Sequence, residues 1–278
     1  AIPLVEPVRD ILDAQWPKAY WIGPGIGFSP KHKATVWQVI FLGALGAPRT
    51  EAIDRACDYV LQHSRLPDGR FSAYKSAKGA TLCLNGNLLR GMSQLGLWDS
   101  RQDESLEALA ETIARHGFRC RFNASGPPPP RMSDGMPCAW GAIKALGALA
   151  RAQEQGPSPA VQAAIVRGIE FLFSADPVRG DYPTPTGISP LWREFGFPLG
   201  QTSDLLEALD VLGQLGCGAD PRLAPAVQVV VGKRDRAGRW SLDYAIENAW
   251  ASFGRPGQPN KWVTVRALLA LRHYERCL

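Results

Sequence analysis

Most of the features that would sort this sequence quickly are missing from it. No apolar run approaches the roughly 20 residues needed to cross a bilayer, so no membrane span is expected. No two cysteines are spaced C-x-x-C. The six present (Cys57, Cys83, Cys120, Cys138, Cys217 and Cys277) are scattered and few, which reads as reduced thiols in a cytoplasmic protein rather than a disulfide framework. Ala1-Ile2-Pro3-Leu4 lacks the charged-then-apolar pattern of a signal peptide. No group of His, Cys, Asp or Glu has metal-ligand spacing, and no cofactor is expected. No period-two alternation of useful length appears, so an α/β sheet has nothing to be built from. The net charge of +5 is spread along the chain, with local groups only at Lys31-His32-Lys33 and Lys233-Arg234-Asp235-Arg236. That is not the clustered stripe of a nucleic-acid binder.

What is present is a core-forming composition, 45% hydrophobic and 21% charged, and a repeat. An outer amphipathic segment, a polar turn and an aromatic recur, closing on Trp21, Phe71, Phe122, Tyr182 and Trp240 at separations of 50, 51, 60 and 58 residues. A more apolar helical segment follows each one: Ala34–Gly46, Ala80–Gly96, Cys138–Arg151, Gln201–Gly216 and Lys261–Tyr274. Gly46, Gly96 and Gly216 end three of them in the manner of helix C-caps. Helices apolar nearly all round belong inside, and those alternating charge with apolar residues outside. The expected fold is all-α: one domain over residues 1–278, an α/α toroid of about five helix pairs around a central cavity. The stretches Ser125–Arg131 and Pro183–Gly187 break helices just before inner segments, where a rigid scaffold carries binding loops.

Arg167-Gly168-Ile169-Glu170-Phe171-Leu172 and Asp235-Arg236-Ala237-Gly238-Arg239-Trp240 resemble the QW motif of squalene and oxidosqualene cyclases. Ser29-Pro30-Lys31, Gly86–Arg90, Pro137–Ala142, Phe195–Pro198 and Lys261–Leu268 extend the resemblance over nearly the full length, to a bacterial prenyltransferase- and squalene-cyclase-like group of generally unassigned activity. The resemblance implies the barrel and a hydrophobic or aromatic small-molecule substrate. The cyclases' DxDD, the class I DDxxD and the Asp-x-Cys of zinc prenyltransferases are all absent, which disfavours each of those reactions.

Counting back 12 or 13 residues from Gly46, Gly96, Ala150 and Gly216 reaches Lys33, Cys83, Cys138 and Asp204, and Lys261 opens the last inner helix. Ionisable or nucleophilic groups thus recur at the helix N-termini, whose dipoles favour a thiolate or bound anion. The most concrete reading is an ester or phosphotriester hydrolase, with Cys138 or Cys83 as nucleophile, His32 or Lys261 as base and Asp204 as orienting carboxylate. Asn85 or Asn87 would then hold the oxyanion. Trp37, Trp140, Trp192, Phe195, Phe197 and Trp262 would supply flat apolar walls. Two alternatives stand beside it. One is a terpenoid cyclase or isomerase with Asp204 as acid. The other is a non-catalytic hydrophobic-ligand binder, with Lys261 and Arg193 anchoring an anionic head. Either a monomer or a dimer fits.

Overall fold

A computed structural model describes residues 6–119, 138–152, 156–179 and 189–277. Phe122, Tyr182 and both proline-containing loops lie outside the described residues. Ten α-helices occur among the described residues, and they alternate in character. The inner set is α2 (Thr35–Ala44), α4 (Leu82–Gln94), α6 (Ala139–Ala152), α8 (Leu205–Gln214) and α10 (Lys261–Leu271). The outer set is α1 (Glu6–Asp13), α3 (Glu51–His63), α5 (Ser100–His116), α7 (Pro159–Phe173) and α9 (Ala224–Gly232). A two-residue parallel pairing joins β1 (Gly196–Phe197) to β2 (Tyr244–Ala245).

Local chemistry fixes the helix ends. Thr81, Asp204 and Asn260 each accept a hydrogen bond from a first-turn amide of the inner helix they precede. Asp99 and Gln102 form a reciprocal capping box on α5. Gly46, Gly96 and Gly216 all take positive φ, as their C-cap positions demand.

The inner helices pack in chain order: α2 on α4, α4 on α6, α6 on α8 and α8 on α10. Glycine lets the backbones approach. A Cβ on Gly43 would stand 2.6 Å from the Gly91 Cα, and one on Gly86 would meet the Lys144 carbonyl. Among the described residues the recurring aromatic acts as an anchor. The indole Nε1 of Trp21 donates to the Ile11 carbonyl and that of Trp240 to the Val230 carbonyl, each at 2.7 Å and each ten residues upstream on an outer helix. The backbone amide of the same aromatic donates to a polar side chain on the next inner helix. The acceptors are Thr35 for Trp21, Asn85 for Phe71 and Thr264 for Trp240. The residue ties outer helix to inner helix, which is why the sequence repeats it.

The segment 241–256 packs against α2 and the turn before it. Trp250 Nε1 donates to the Lys33 carbonyl, the His32 ring meets the Glu247 carbonyl at 3.1 Å, and Phe253 packs edge-on against Phe41.

Candidate functional site

A cavity of about 380 Å³ lies among the inner helices. Its apolar side is formed by Ile40 of α2, Leu199, Phe197 stacked on Trp262, and Val265 and Leu269 of α10. Val265 and Leu269 keep 49% and 42% of their surface exposed because they face this space. Charged residues also line it: Arg90 of α4, Lys144 of α6, Glu207 and Asp210 of α8, and Arg266 and Arg272 from α10 and its end.

These charges form one network. Lys144 Nζ sits 2.9 and 2.8 Å from the two oxygens of Glu207. Arg90 bridges α4 to α8, reaching Glu207 at 3.2 Å and Asp210 at 2.7 Å. Gln214 donates to Asp210 at 2.8 Å. Arg266 forms a bidentate pair with Asp204 at 2.8 and 2.6 Å and donates to the Gly196 carbonyl at 2.6 Å. Asp204 is wholly buried and also accepts the amides of Glu207 and Gly196.

The environment sets the protonation states. Burial pushes the Lys144 pKa down; Glu207 opposes this, and Arg90 and Arg266 add to it. Burial would raise the Glu207 pKa, but Lys144 and Arg90 outweigh it and hold the carboxyl below its usual range. For Arg266 burial works against the charge, and Asp204 more than restores it.

A second opening continues from the first at the C-terminal ends of the inner helices. It is lined by Arg90, Ser93, Gln94, Arg151, Gln214 and Arg272, with no carboxylate among its lining residues. The two spaces share Arg90, Gln94, Gln214 and Arg272. The mouth is therefore at the opposite ends of these helices from the rim expected at their N-termini.

The residues of that expected rim do not come together. Asp204 pairs with Arg266, and Lys261, one turn earlier on α10, is exposed, with its Nζ 4.8 Å from the Trp262 ring centroid. His32 packs edge-on against Trp37 and its ring bonds the Glu247 carbonyl; burial lowers its pKa. Cys83 and Cys138 line a separate pocket of about 240 Å³ with Arg70, His116 and Arg119. Cys138 Sγ accepts the Gly141 amide, which makes it a helix cap, and Cys83 Sγ lies 3.3 Å from Thr81 Oγ1. A cysteine nucleophile with His32 or Lys261 as base and Asp204 as orienter is thus not assembled, and the hydrolase reading has no support.

Of the expected walls, Phe197, Trp262 and Asn87 do line the central cavity, Asn87 also donating to the Gly200 carbonyl. Asn85 is spent on the backbone of Phe71 and Thr81. The indole of Trp37 donates to the Phe28 carbonyl and that of Trp192 to the Pro177 carbonyl. Phe195 is fully buried, Trp140 is half-buried against the core, and Arg193 is exposed. The five network residues Arg90, Lys144, Glu207, Asp210 and Arg266 went unrecognised in the sequence. Their signal was a charge inside an otherwise apolar helix.

No protein-family model matches the chain, and no curated protein matches its sequence. Solved structures do resemble it. A protein from Actinoplanes aligns over 97% of this chain and 74% of its own, at 16% identity and a TM-score of 0.53. The type II terpene cyclase MstE from Scytonema, in its apo form, aligns over 96% and 71%, at 15% identity and a TM-score of 0.51. A variant of that enzyme in complex with its substrate, geranylgeranyl dihydroxybenzoate, gives 0.50 at 15% identity over 95% and 70%. At these identities the likeness establishes a terpene-cyclase-like fold and nothing of the reaction. No helix among the described residues is long and apolar enough to cross a membrane.

Proposed function

We propose that the chain is a cavity enzyme on a terpene-cyclase-like scaffold whose substrate is a small amphiphile, apolar over most of its length and anionic at one end. The five inner helices, with the segment 241–256 in the remaining gap, make up a single ring-shaped domain around that substrate. One observation carries the reading: the cavity has an apolar wall of Ile40, Phe197, Leu199, Trp262, Val265 and Leu269 and a charged wall with four cations (Arg90, Lys144, Arg266, Arg272) and only two carboxylates (Glu207, Asp210). An apolar body gains about 25 cal/mol per Å² on the first wall. An anion gains charge-assisted hydrogen bonds on the second and at the arginine-lined mouth. The Scytonema cyclase acts on a prenylated benzoate, a molecule of this general build.

Among the described residues, the carboxylates at the cavity are not placed to start a reaction by protonating an alkene. Asp204 has both oxygens engaged by Arg266 and by backbone amides. Glu207 is held ionised by its cations, and Asp210 accepts from Arg90 and Gln214. This argues against protonation of an alkene by Asp204.

The reading is tested by calorimetry with a prenylated benzoate and its neutral carboxamide. The acid should bind at least about tenfold more tightly, and Arg272→Gln should weaken the acid while leaving the amide unchanged. Equal affinity for the two, or no binding of either, refutes it.

A further inference from the structure

The lysine in the cavity wall is not explained by ion pairing. Lys144 is 2% exposed, yet it lines the cavity, and Glu207 is its only hydrogen-bond partner among the described residues. An ammonium has three donors. Among the described residues only the Glu207 carboxylate, its oxygens 2.9 and 2.8 Å away, stands within reach of them, at a fully buried position beside open space. The charges facing it are Glu207 and Asp210 from α8, Arg90 from α4 and Arg266 from α10, with Asp204 behind Arg266. Burying an ion pair is a poor way to stabilise a fold, since an apolar pair of similar volume does at least as well. A desolvated lysine among other cations is, by contrast, how a protein keeps an amine unprotonated near neutral pH.

We propose that Lys144 is a nucleophilic amine that captures the carbonyl carbon of an aldehyde or ketone ligand as an imine, with Glu207 as proton acceptor and donor. The inference rests on the central cavity being the ligand site and adds a carbonyl group to the ligand's description. In the step, the ammonium passes one proton to the Glu207 carboxylate, and the nitrogen lone pair forms a bond to the carbonyl carbon. The carbonyl oxygen takes a second proton from the nitrogen and then the proton held by Glu207. It leaves as water, and a protonated imine remains. Lys144 and the ligand together lose only H₂O, and no oxidant or reductant is consumed. Glu207, 2.8 Å away, is within reach for both transfers, and its charge then faces the cationic imine.

The experiment uses 4-carboxybenzaldehyde with sodium cyanoborohydride, which reduces an imine to a stable amine, followed by peptide mass mapping of the wild-type protein. A lowered amine pKa raises the unprotonated fraction near neutral pH, so Lys144 should be labelled faster than exposed Lys75 or Lys78. Lys144→Arg should lose that one adduct, and Glu207→Gln should slow it without altering the rate at Lys75. Because the site is mapped in the wild type, the result does not depend on a variant folding. Binding of the unreactive analogue 4-(hydroxymethyl)benzoate is measured alongside. If the analogue binds but Lys144 is unlabelled, or is labelled no faster than Lys75, the amine is overturned and the cavity reading stands. If neither binding nor labelling occurs, both fall.

Discussion

Replacing Asp204 separates a structural carboxylate from a catalytic one. The side chain does three things at once. It pairs with Arg266 through two bonds of 2.8 and 2.6 Å, it caps α8 through the Glu207 amide, and it accepts the Gly196 amide. Removing one partner of a buried ion pair costs about 3–5 kcal/mol, because the other is left charged and unpaired. Arg266 keeps its bond to the Gly196 carbonyl, which places Asp204→Asn near the lower end, at about 3 kcal/mol. Asn caps a helix as well as Asp does, whereas Ala loses about 1 kcal/mol more, so Asp204→Ala should cost about 4 kcal/mol. Urea unfolding followed by far-UV circular dichroism measures both variants, and the difference between them isolates the cap. A cost below about 1 kcal/mol for Asp204→Asn would show that Arg266 does not depend on this carboxylate, and the clasp between α8 and α10 would have to be abandoned.

Two further outcomes follow from the network and the repeat. The folded-state pKa of Glu207 is depressed, so its contribution to stability is present above the unfolded value of about 4.3 and is lost as pH falls through the lower folded value. In Glu207→Gln the acid limb of a stability–pH curve should accordingly be shallower than in wild type; an identical slope refutes the depression. Trp21→Phe and Trp240→Phe each delete an indole bond of 2.7 Å to a carbonyl ten residues upstream. Each should cost about 1–3 kcal/mol by leaving that carbonyl unsatisfied. Denaturation midpoints should put the two within about 0.5 kcal/mol of each other, and a large inequality would mean the two turns are not equivalent.

The inner helices were legible because burial leaves a one-dimensional trace: long apolar runs that stop at Gly46, Gly96 and Gly216, each of which has positive φ. The site was half-legible. Counting back six residues, not twelve, from Gly96, Ala150 and Gly216 gives Arg90, Lys144 and Asp210, three members of the network. The twelve-residue count pointed to helix N-termini, where dipole arguments favour chemistry. In a helix buried on every side, however, periodicity does not say which face borders a cavity and which borders a neighbour. Lys261 and Arg266 illustrate the loss. They lie five positions apart on α10, and only the three-dimensional position of Asp204 shows that Arg266 reaches it. His116, the last residue of α5, lines the same pocket as Cys83 and Cys138, which its place in the sequence does not reveal.

The packing of inner helices in chain order also bears on how the site comes into being. Contacts between successive inner helices span one repeat rather than the whole chain, so the middle of the array can form without waiting for its ends, as in stacked repeat proteins. The cavity is different, since it needs Ile40 from the first inner helix and Val265, Leu269 and Arg266 from the last. Its lining depends on both ends of the array being in place. Damage at a terminus can therefore silence this protein while leaving most of its helical signal intact.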